Sequence, residues 1–379
     1  MFATDCMAQY RCPLKPTKRV FSKYLIALAV GIGNLPTDTQ AWYVGRVNDL
    51  LSGLLGALLA TNQPVALSNL VQQKTGIRLA VPDKNDPVEQ EFQKLMEADD
   101  KAQAEVDQWI KSEQQFAEKG AGGSITLKAR IRDRLAIVKK SYEEFFTRHP
   151  NHGRARVAYA SFLSDIGEEE AALPQLEKAR ELDPNNPAVW NQLANWHGHN
   201  SPVVKSFEYY QKAIDLDPTE STYYWNFATT VFLFRRDATN YFKISEKQVF
   251  EKAMALYYKA LELDPTNFAL ATDVAQSYYG IKLFKTGDAE ADRKAEQKHY
   301  DDALAAWQSA FQIAGDDVER QGVLIHYARL QINAGRFEAA RTNLAAVTNE
   351  MFGAVKKNLE KKLQREEEKG KSASQSEPK

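Results

Sequence analysis

The stretch ELDPNNPAVW, Glu181 to Trp190, has the pattern of a helix end, a tight turn and a helix start. Proline cannot continue a helical hydrogen-bond ladder, so Leu-Asp-Pro ends one helix and the residues after it begin the next. Leu-Asp-Pro recurs in DLDPTESTYY and in ELDPTNFALA, and Pro184 and Pro218 lie 34 residues apart. We expect Asn185 and Thr219, directly after these prolines, to form the turn and cap the next helix.

A fixed spacing of this kind indicates a repeated unit of structure. In the ungapped units 153–186 and 187–220, small residues stand at positions 8, 20 and 27, while large residues stand at positions 4, 7, 11 and 24. Small residues let paired helices approach closely, and large ones fill the space between them. The pattern continues, with insertions or without the proline, in the units 221–267, 268–317 and 318–353.

This pattern resembles that of the tetratricopeptide repeat family over about 200 residues, from Gly153 to Gly353. The resemblance implies an all-α fold, a right-handed superhelical solenoid of antiparallel helix pairs. A single pair cannot bury its apolar face alone, so the units stack and the ends need caps. We expect extra N-terminal helices and a C-terminal capping helix. The predicted segments are a signal peptide or anchor (1–41), an apolar helix and connector (42–87), a long helical hairpin as N-terminal cap (88–149), the repeat array (150–353), and a capping helix with a disordered tail (354–379).

The overall composition is that of an ordinary soluble chain, with 44% hydrophobic and 26% charged residues. The net charge of -1 gives no electrostatic reason to bind nucleic acid or an anionic membrane. Both cysteines, Cys6 and Cys12, lie in the first dozen residues. The remainder of the chain therefore has no disulfide framework and no cysteine-based metal site.

The start of the chain has the form of an export signal. Five basic residues precede the apolar stretch YLIALAVGIG, Tyr24 to Gly33, and Thr39-Gln40-Ala41 offers a small-residue cleavage site before Trp42. A cleaved signal would place the protein in a bacterial periplasm or outside the cell, and an uncleaved one would anchor it to the membrane. Ten apolar residues are too few to span a bilayer, so the alternative is a core helix of a cytoplasmic protein.

An amphipathic helix is predicted next, in AWYVGRVNDLLSGLLGALLA, Ala41 to Ala60. Its apolar residues recur every three or four positions and form one wide stripe. The polar side lacks the lysine and arginine of membrane-surface helices. We therefore favour a helix that packs on the body of the protein over one that lies on a membrane. Membrane contact is expected only through the N-terminal segment.

Chemistry-bearing motifs are scarce, and the sequence predicts no enzyme, no cofactor and no metal. His197 and His199 form a His-x-His pair, and His149 and His152 a His-x-x-His pair, but no carboxylate or cysteine stands nearby at ligand spacing. No Walker loop, nucleophile elbow or His-Glu-x-x-His motif is present. The glycine-rich GAGGS at 120–124 separates two helices, so it is a linker and not a phosphate loop.

The resemblance also predicts the binding surface, because in this family the first helix of each unit lines a concave groove. When the family positions are transferred to this sequence, Trp225 and Phe232 both lie in the groove. The alternative is that these two residues pack against the insertions and are not available to a ligand. Amides beside aromatic rings suit an extended peptide. The predicted peptide-binding groove residues are Arg154, Ser161, Asp165, Asn191, Gln192, Asn195, Trp225, Asn226, Thr229, Thr272, Asp273, Gln276 and Tyr279.

One subtype of the family is disfavoured. Members that bind chaperone C-termini use two asparagines and several cations to hold a carboxylate. Asn195 and Asn226 match the two asparagines, but the basic positions fall on Asn191, Ala269 and Asp273. A clamp without cations should not hold a dicarboxylate.

Two insertions, 236–248 and about 283–298, lie at the same edge of adjacent units and should be side by side. The first contains Tyr241, Phe242 and Ile244 and is expected to fold onto the body, whereas the second is mostly charged and expected to be solvated. The predicted function is a non-catalytic scaffold that binds a protein or peptide of unknown identity. The alternatives are an N-terminally anchored module for envelope assembly or regulation, and an enzyme with an unrecognised site.

Overall fold

The computed structural model describes residues 85–117, 124–200 and 202–375. Every regular element in these ranges is helical, which confirms the all-α prediction. The predicted leader and the predicted helix at 41–60 lie outside the described residues. In chain order the α-helices are Pro87–Ala117 (α1), Ser124–Arg148 (α2), Gly153–Asp165 (α3), Glu169–Leu182 (α4), Pro187–Asn200 (α5), Val204–Leu216 (α6), Ser221–Leu233 (α7), Arg235–Phe242 (α8), Glu246–Leu263 (α9), Phe268–Ser277 (α10), Ala289–Ile313 (α11), Asp317–Asn333 (α12), Phe337–Ala346 (α13) and Gly353–Gln375 (α14).

The helices pack as consecutive hairpins. The pairs with the most extensive contact are α3 with α4, α5 with α6, α7 with α9, α10 with α11, and α12 with α13. Each hairpin also contacts the next, through α4 with α5, α6 with α7, α9 with α10, and α11 with α12. Contacts between neighbours in sequence are what a solenoid requires.

The small residues of the repeat lie at the helix crossings. All fourteen described here are almost completely buried, at most 1% exposed. A larger side chain at any of them would push two helices apart. They are Ala160, Ala172, Ala179, Ala194, Ser206, Ala213, Ala228, Ala253, Ala260, Ala275, Ala303, Ala310, Ala328 and Ala340.

The joints between units end helices at Asp-Pro as predicted, but the prediction of the caps was wrong. The backbone amides of Asn185 and Thr219 donate to the preceding aspartate side chains, at 3.3 and 3.0 Å. The residue after each one holds the next helix: Asn186 accepts from the amide of Ala188 at 3.1 Å, and Glu220 caps α7. Because Asn185 and Thr219 are bonded to the preceding aspartates, the caps are the next residues, Asn186 and Glu220.

The insertion between α7 and α9 folds onto the body. It forms α8, and the rings of Tyr241 and Phe242 each lie 5.4 Å from the ring of Phe207. The second insertion forms an exposed loop and the first turns of α11, which are solvated as the charge pattern predicted. The two insertions are neighbours, because the ammonium of Lys282 lies 3.7 Å from the carboxylate of Glu246.

Long helices cover both ends of the described array. At the N-terminal end, α1 and α2 bury Phe92, Met96 and Tyr142 in one apolar cluster with α3. At the C-terminal end, α14 places Val355 and Leu359 against α12 and α13. None of the described helices is both long enough and apolar enough to cross a membrane.

Candidate functional site

The predicted groove residues of α5, α7 and α10 come together across three repeat units. The Asn226 amide nitrogen donates to the Asn191 side-chain oxygen at 3.1 Å, which joins α7 to α5. The Trp225 indole N–H donates to Oδ2 of Asp273 at 3.0 Å, which joins α7 to α10. We name the groove residues of these three helices the inner stripe: Asn191, Gln192, Asn195, Trp225, Asn226, Thr229, Thr272, Asp273, Gln276 and Tyr279.

On α5, Gln192 and Asn195 are held by partners in their own unit. Asn195 donates to Oε1 of Gln192 at 3.0 Å and accepts from the Tyr210 hydroxyl of α6 at 2.7 Å. Asn191 is buried, whereas Gln192 and Asn195 are partly exposed. These bonds fix the side chains before any ligand arrives, which lowers the entropic cost of binding.

On α7 the exposed part of the inner stripe is Trp225, Asn226 and Thr229. The Thr229 hydroxyl donates to the Trp225 backbone carbonyl at 3.0 Å and lies 3.0 Å from the Tyr257 hydroxyl of α9. Phe232 is not part of this surface: it is buried, with its ring 5.7 Å from that of Phe250. Phe232 therefore packs on α9, within an apolar cluster that also contains Ala238 of the insertion.

On α10 the stripe is more enclosed. The Thr272 hydroxyl donates to the Ala269 carbonyl at 2.8 Å and is buried, and Gln276 is only 2% exposed. The Tyr279 hydroxyl, in the short turn after α10, lies 3.1 Å from Nδ1 of His326 on α12. Asp273 and Tyr279 remain partly exposed and are the accessible groups of this unit.

On α3, one predicted groove residue is engaged by the N-terminal helix α1. Arg154 pairs with Glu89 of α1 at 2.6 Å, and Glu89 also lies 3.1 Å from the ring nitrogen of His152. Ser161 and Asp165 are partly exposed on the same helix. Arg154, which the sequence predicted to bind a ligand, is thus engaged in an ion pair with Glu89 of α1.

Burial sets the electrostatics of the inner stripe. Desolvation raises the pKa of Asp273 to about 7, and the hydrogen bond from Trp225 only partly opposes it. Desolvation and then the neighbouring Asp273 raise the pKa of Tyr257. Burial, followed by the nearby Arg329, holds the pKa of His326 well below its usual value. Near pH 7 the imidazole is therefore neutral, and the carboxylate of Asp273 is the charge that varies.

Two tyrosines on the second helices of their units support the inner stripe, and the sequence did not predict this role. Tyr210 and Tyr257 occupy the large-residue position of the second helices, and the repeat pattern assigned them to packing alone. Their hydroxyls reach across to Asn195 and Thr229. The choice of tyrosine over phenylalanine at this position was the available signal, since a buried hydroxyl needs a partner.

No group of three or more histidine, cysteine or carboxylate side chains is placed to hold a metal ion in the part of the chain that the structure describes. His199 is exposed, while His197 is buried beside the rings of Trp196 and Tyr209. The two histidines therefore do not present a common ligand surface.

The family model of the tetratricopeptide repeat matches residues 153–196, which span α3, α4 and most of α5. The same hairpin geometry and buried small residues continue through the units that follow. Residues 153–196 are a tetratricopeptide repeat. Repeats of this kind are generally protein–protein interaction scaffolds. No curated protein matches this chain in sequence.

Solved structures of three tetratricopeptide proteins match parts of this chain at low identity. YrrB, described as having an unusual peptide-binding site, is 13% identical, with 59% of this chain and 99% of that chain covered and a TM-score of 0.40. PilF of Pseudomonas aeruginosa is 16% identical, with 65% and 90% covered and a TM-score of 0.41. A thermophilic tetratricopeptide protein of Thermus thermophilus is 17% identical, with 56% and 98% covered and a TM-score of 0.37. Likeness at this level does not extend to ligands or partners.

Proposed function

We propose that this protein is a non-catalytic scaffold whose inner stripe binds an extended peptide or protein segment. The observation that carries the proposal is the pair of hydrogen bonds that join three units, Asn226 to Asn191 and Trp225 to Asp273. They create one continuous surface of amide, hydroxyl and indole groups. Amides pair with a peptide backbone, and aromatic rings such as that of Tyr279 receive its side chains.

The threonine hydroxyls of the inner stripe support a binding role over a catalytic one. Thr229 and Thr272 donate to backbone carbonyls, at 3.0 and 2.8 Å. A nucleophilic hydroxyl is instead activated by a neighbouring base. The hydroxyls of Thr229 and Thr272 are therefore held by backbone carbonyls and are not paired with a base.

The test is binding of the purified full chain to an array of random peptides. The groove variant carries Gln192→Ala and Asn226→Ala. Asn195 is left in place because it also accepts from the buried Tyr210 hydroxyl, so its loss would disturb the fold. The control variant is Gln211→Ala, an exposed residue of α6 away from the stripe.

We expect the wild type and the control to bind a common set of peptides, and the groove variant to lose at least about tenfold in affinity, the equivalent of one or two hydrogen bonds. Circular dichroism confirms that helical content is unchanged. Absence of any bound peptide, or equal binding by the groove variant, contradicts the proposal.

We further propose that the protein is exported, by cleavage or with its leader retained as an anchor. The basic segment before Tyr24–Gly33 and the small-residue site before Trp42 support this. N-terminal sequencing of the protein purified from its host decides between the forms. A start at Trp42 means cleavage and a soluble scaffold, and a retained leader in the membrane fraction means an anchored module for envelope assembly or regulation. An intact chain in the cytoplasm contradicts export.

A further inference from the structure

Asp273 is a carboxylate without a cation. It is surrounded by α7, α9 and α10, yet it remains partly exposed. Its side chain accepts one hydrogen bond, from the Trp225 indole N–H to Oδ2 at 3.0 Å. Among the described residues no lysine, arginine or histidine forms an ion pair with it, although exposed ion pairs are frequent elsewhere in the chain. Oδ1 therefore has no hydrogen-bond donor or cation among the described residues.

An enclosed carboxylate of this kind is costly to the folded chain. Removing an ionised carboxylate from water is unfavourable unless a cation or several donors compensate it. The single donor here leaves most of that cost in place, as the raised pKa of Asp273 shows. A ligand that brings a positive charge recovers the lost interaction, whereas a neutral ligand does not.

The groups around Asp273 suit a cation on a long apolar stem. Trp225 is partly exposed beside it, and tryptophan is the aromatic residue that attracts cations best. One helical turn further on, the Gln276 side chain has neither amide atom hydrogen-bonded within the described part of the chain. Residues three apart on a helix share a face, so a rotation of the Gln276 side chain brings its amide towards Asp273.

We propose that Asp273 and Trp225 form an anchor subsite of the inner stripe that receives a lysine or arginine side chain of the bound peptide. The ammonium or guanidinium group would donate to Oδ1 of Asp273 while its aliphatic stem lies along the indole. This inference rests on the proposed function and adds the chemical class of the ligand: a basic peptide segment. The buried amide of Gln276 supplies a further donor and acceptor once it turns into the subsite.

The test compares wild type, Asp273→Asn and the matched control Asp215→Asn on the peptide array. Asp215 is exposed on α6 and bonded to Gln211, away from the inner stripe. A bound peptide is then resynthesised with each lysine or arginine replaced by glutamine, and both forms are titrated by calorimetry. Terminal charges are blocked by acetylation and amidation, which removes the N-terminal ammonium as a competing cation.

For wild type and control we expect peptides enriched in lysine and arginine, with one position at which glutamine weakens binding at least about tenfold. Asp273→Asn should abolish most of that discrimination while still binding the neutral peptide. A third variant, Trp225→Phe, keeps the carboxylate and should keep the charge preference. Denaturation curves verify that each variant is folded.

A pH series gives a second readout. The groups that face Asp273 are Trp225 from α7 and Tyr257 from α9, and neither ionises between pH 6 and 8. Because the pKa of Asp273 is about 7, wild-type affinity for the basic peptide should fall about tenfold from pH 8 to pH 6. That fall should vanish in Asp273→Asn.

The two proposals fail in different ways. If no peptide binds through the inner stripe, the proposed function is wrong. If peptides bind and the Gln192→Ala, Asn226→Ala variant weakens them, but without a preference for basic residues, the function stands and the anchor subsite is wrong. A preference that survives unchanged in Asp273→Asn also overturns the subsite.

Discussion

At the scale of single residues, the enclosed carboxylate of Asp273 lowers the stability of the folded chain at neutral pH. Its folded pKa of about 7 lies above the unfolded value near 4, so the folded state binds more protons between these limits. Stability must therefore fall as pH rises from about 4 through 7. Functional sites commonly carry such a cost, because the group is arranged for its ligand and not for the folded chain alone.

The stability effect of Asp273→Asn follows from that sign. Asparagine keeps an oxygen acceptor for the Trp225 indole but never ionises. We expect the variant to be more stable than wild type by about 1–3 kcal/mol at pH 8, with a smaller difference at pH 5. Urea denaturation at the two pH values measures it. A variant less stable than wild type at pH 8 would mean that the carboxylate is compensated in the free protein.

Asp99 is a second buried carboxylate, and it has a structural role. It accepts from the Tyr142 hydroxyl at 2.7 Å, and burial raises its pKa to about 6 although that bond lowers it. Removing the hydroxyl in Tyr142→Phe should cost about 1–3 kcal/mol at pH 8, where Asp99 is ionised, and less at pH 5. Chemical denaturation measures both values.

The control for Tyr142 is Tyr159→Phe, whose hydroxyl lies 3.2 Å from the exposed Glu143. Its loss should cost less than that of the Tyr142 hydroxyl at pH 8. A Tyr142→Phe penalty that is the same at pH 5 and pH 8 would show that packing, not the hydrogen bond to Asp99, is responsible.

At the scale of elements, the Asn267 side chain caps α10, the helix that carries Asp273. Asn267 accepts from the amide of Leu270 at 3.0 Å and donates to the Asp264 carboxylate at 2.9 Å. We expect Asn267→Ala to cost about 1 kcal/mol, and Asn267→Ser, which restores a capping oxygen, to recover most of it. Thermal denaturation of the pair checks this. Equal losses in both variants would locate the effect in the bond to Asp264 and not in the cap.

The repeat pattern predicted helices and crossings well but side-chain pairing poorly. Ala194 and Ala213 could be placed at a helix crossing because only a small residue fits where two helices approach closely, and that requirement recurs at a fixed period. The bond between Tyr279 and His326 joins neighbouring units and has no period. Pairs of this kind depend on rotamers and on the local offset of two helices, which sequence spacing does not specify.

The candidate site shows the same division. The stripe positions of Trp225 and Asp273 followed from the family pattern, but their mutual hydrogen bond did not. The engagement of Arg154 by Glu89 was not predictable either, because α1 lies outside the repeat pattern and its packing on α3 depends on tertiary contacts. Periodicity predicts which face a residue occupies, whereas contacts outside the period determine whether it is free.

At the scale of the whole molecule, stability in a solenoid is a sum of neighbouring interfaces, so its two ends can open independently. The end cap α14 buries Leu359 and Leu363 in a cluster with Leu344 of α13 and Ile325 of α12. The sequence of α14 is rich in charged residues, but the helix packs on the array through this apolar row. Loss of these apolar contacts should therefore destabilise the last hairpin and leave the first units folded.

The variant that tests this independence is Leu359→Ala. It should cost about 2–5 kcal/mol of local stability, because it leaves a cavity between α14 and the last hairpin. Hydrogen exchange measured by mass spectrometry should become faster in α12, α13 and α14 and stay unchanged in α3 to α6. The exposed Lys361→Ala on the same helix is the control and should change neither region. Faster exchange throughout the described helices would mean that the array opens as one cooperative unit. In that case α5, α7 and α10, which carry the proposed binding surface, would depend on the distant cap for their shape.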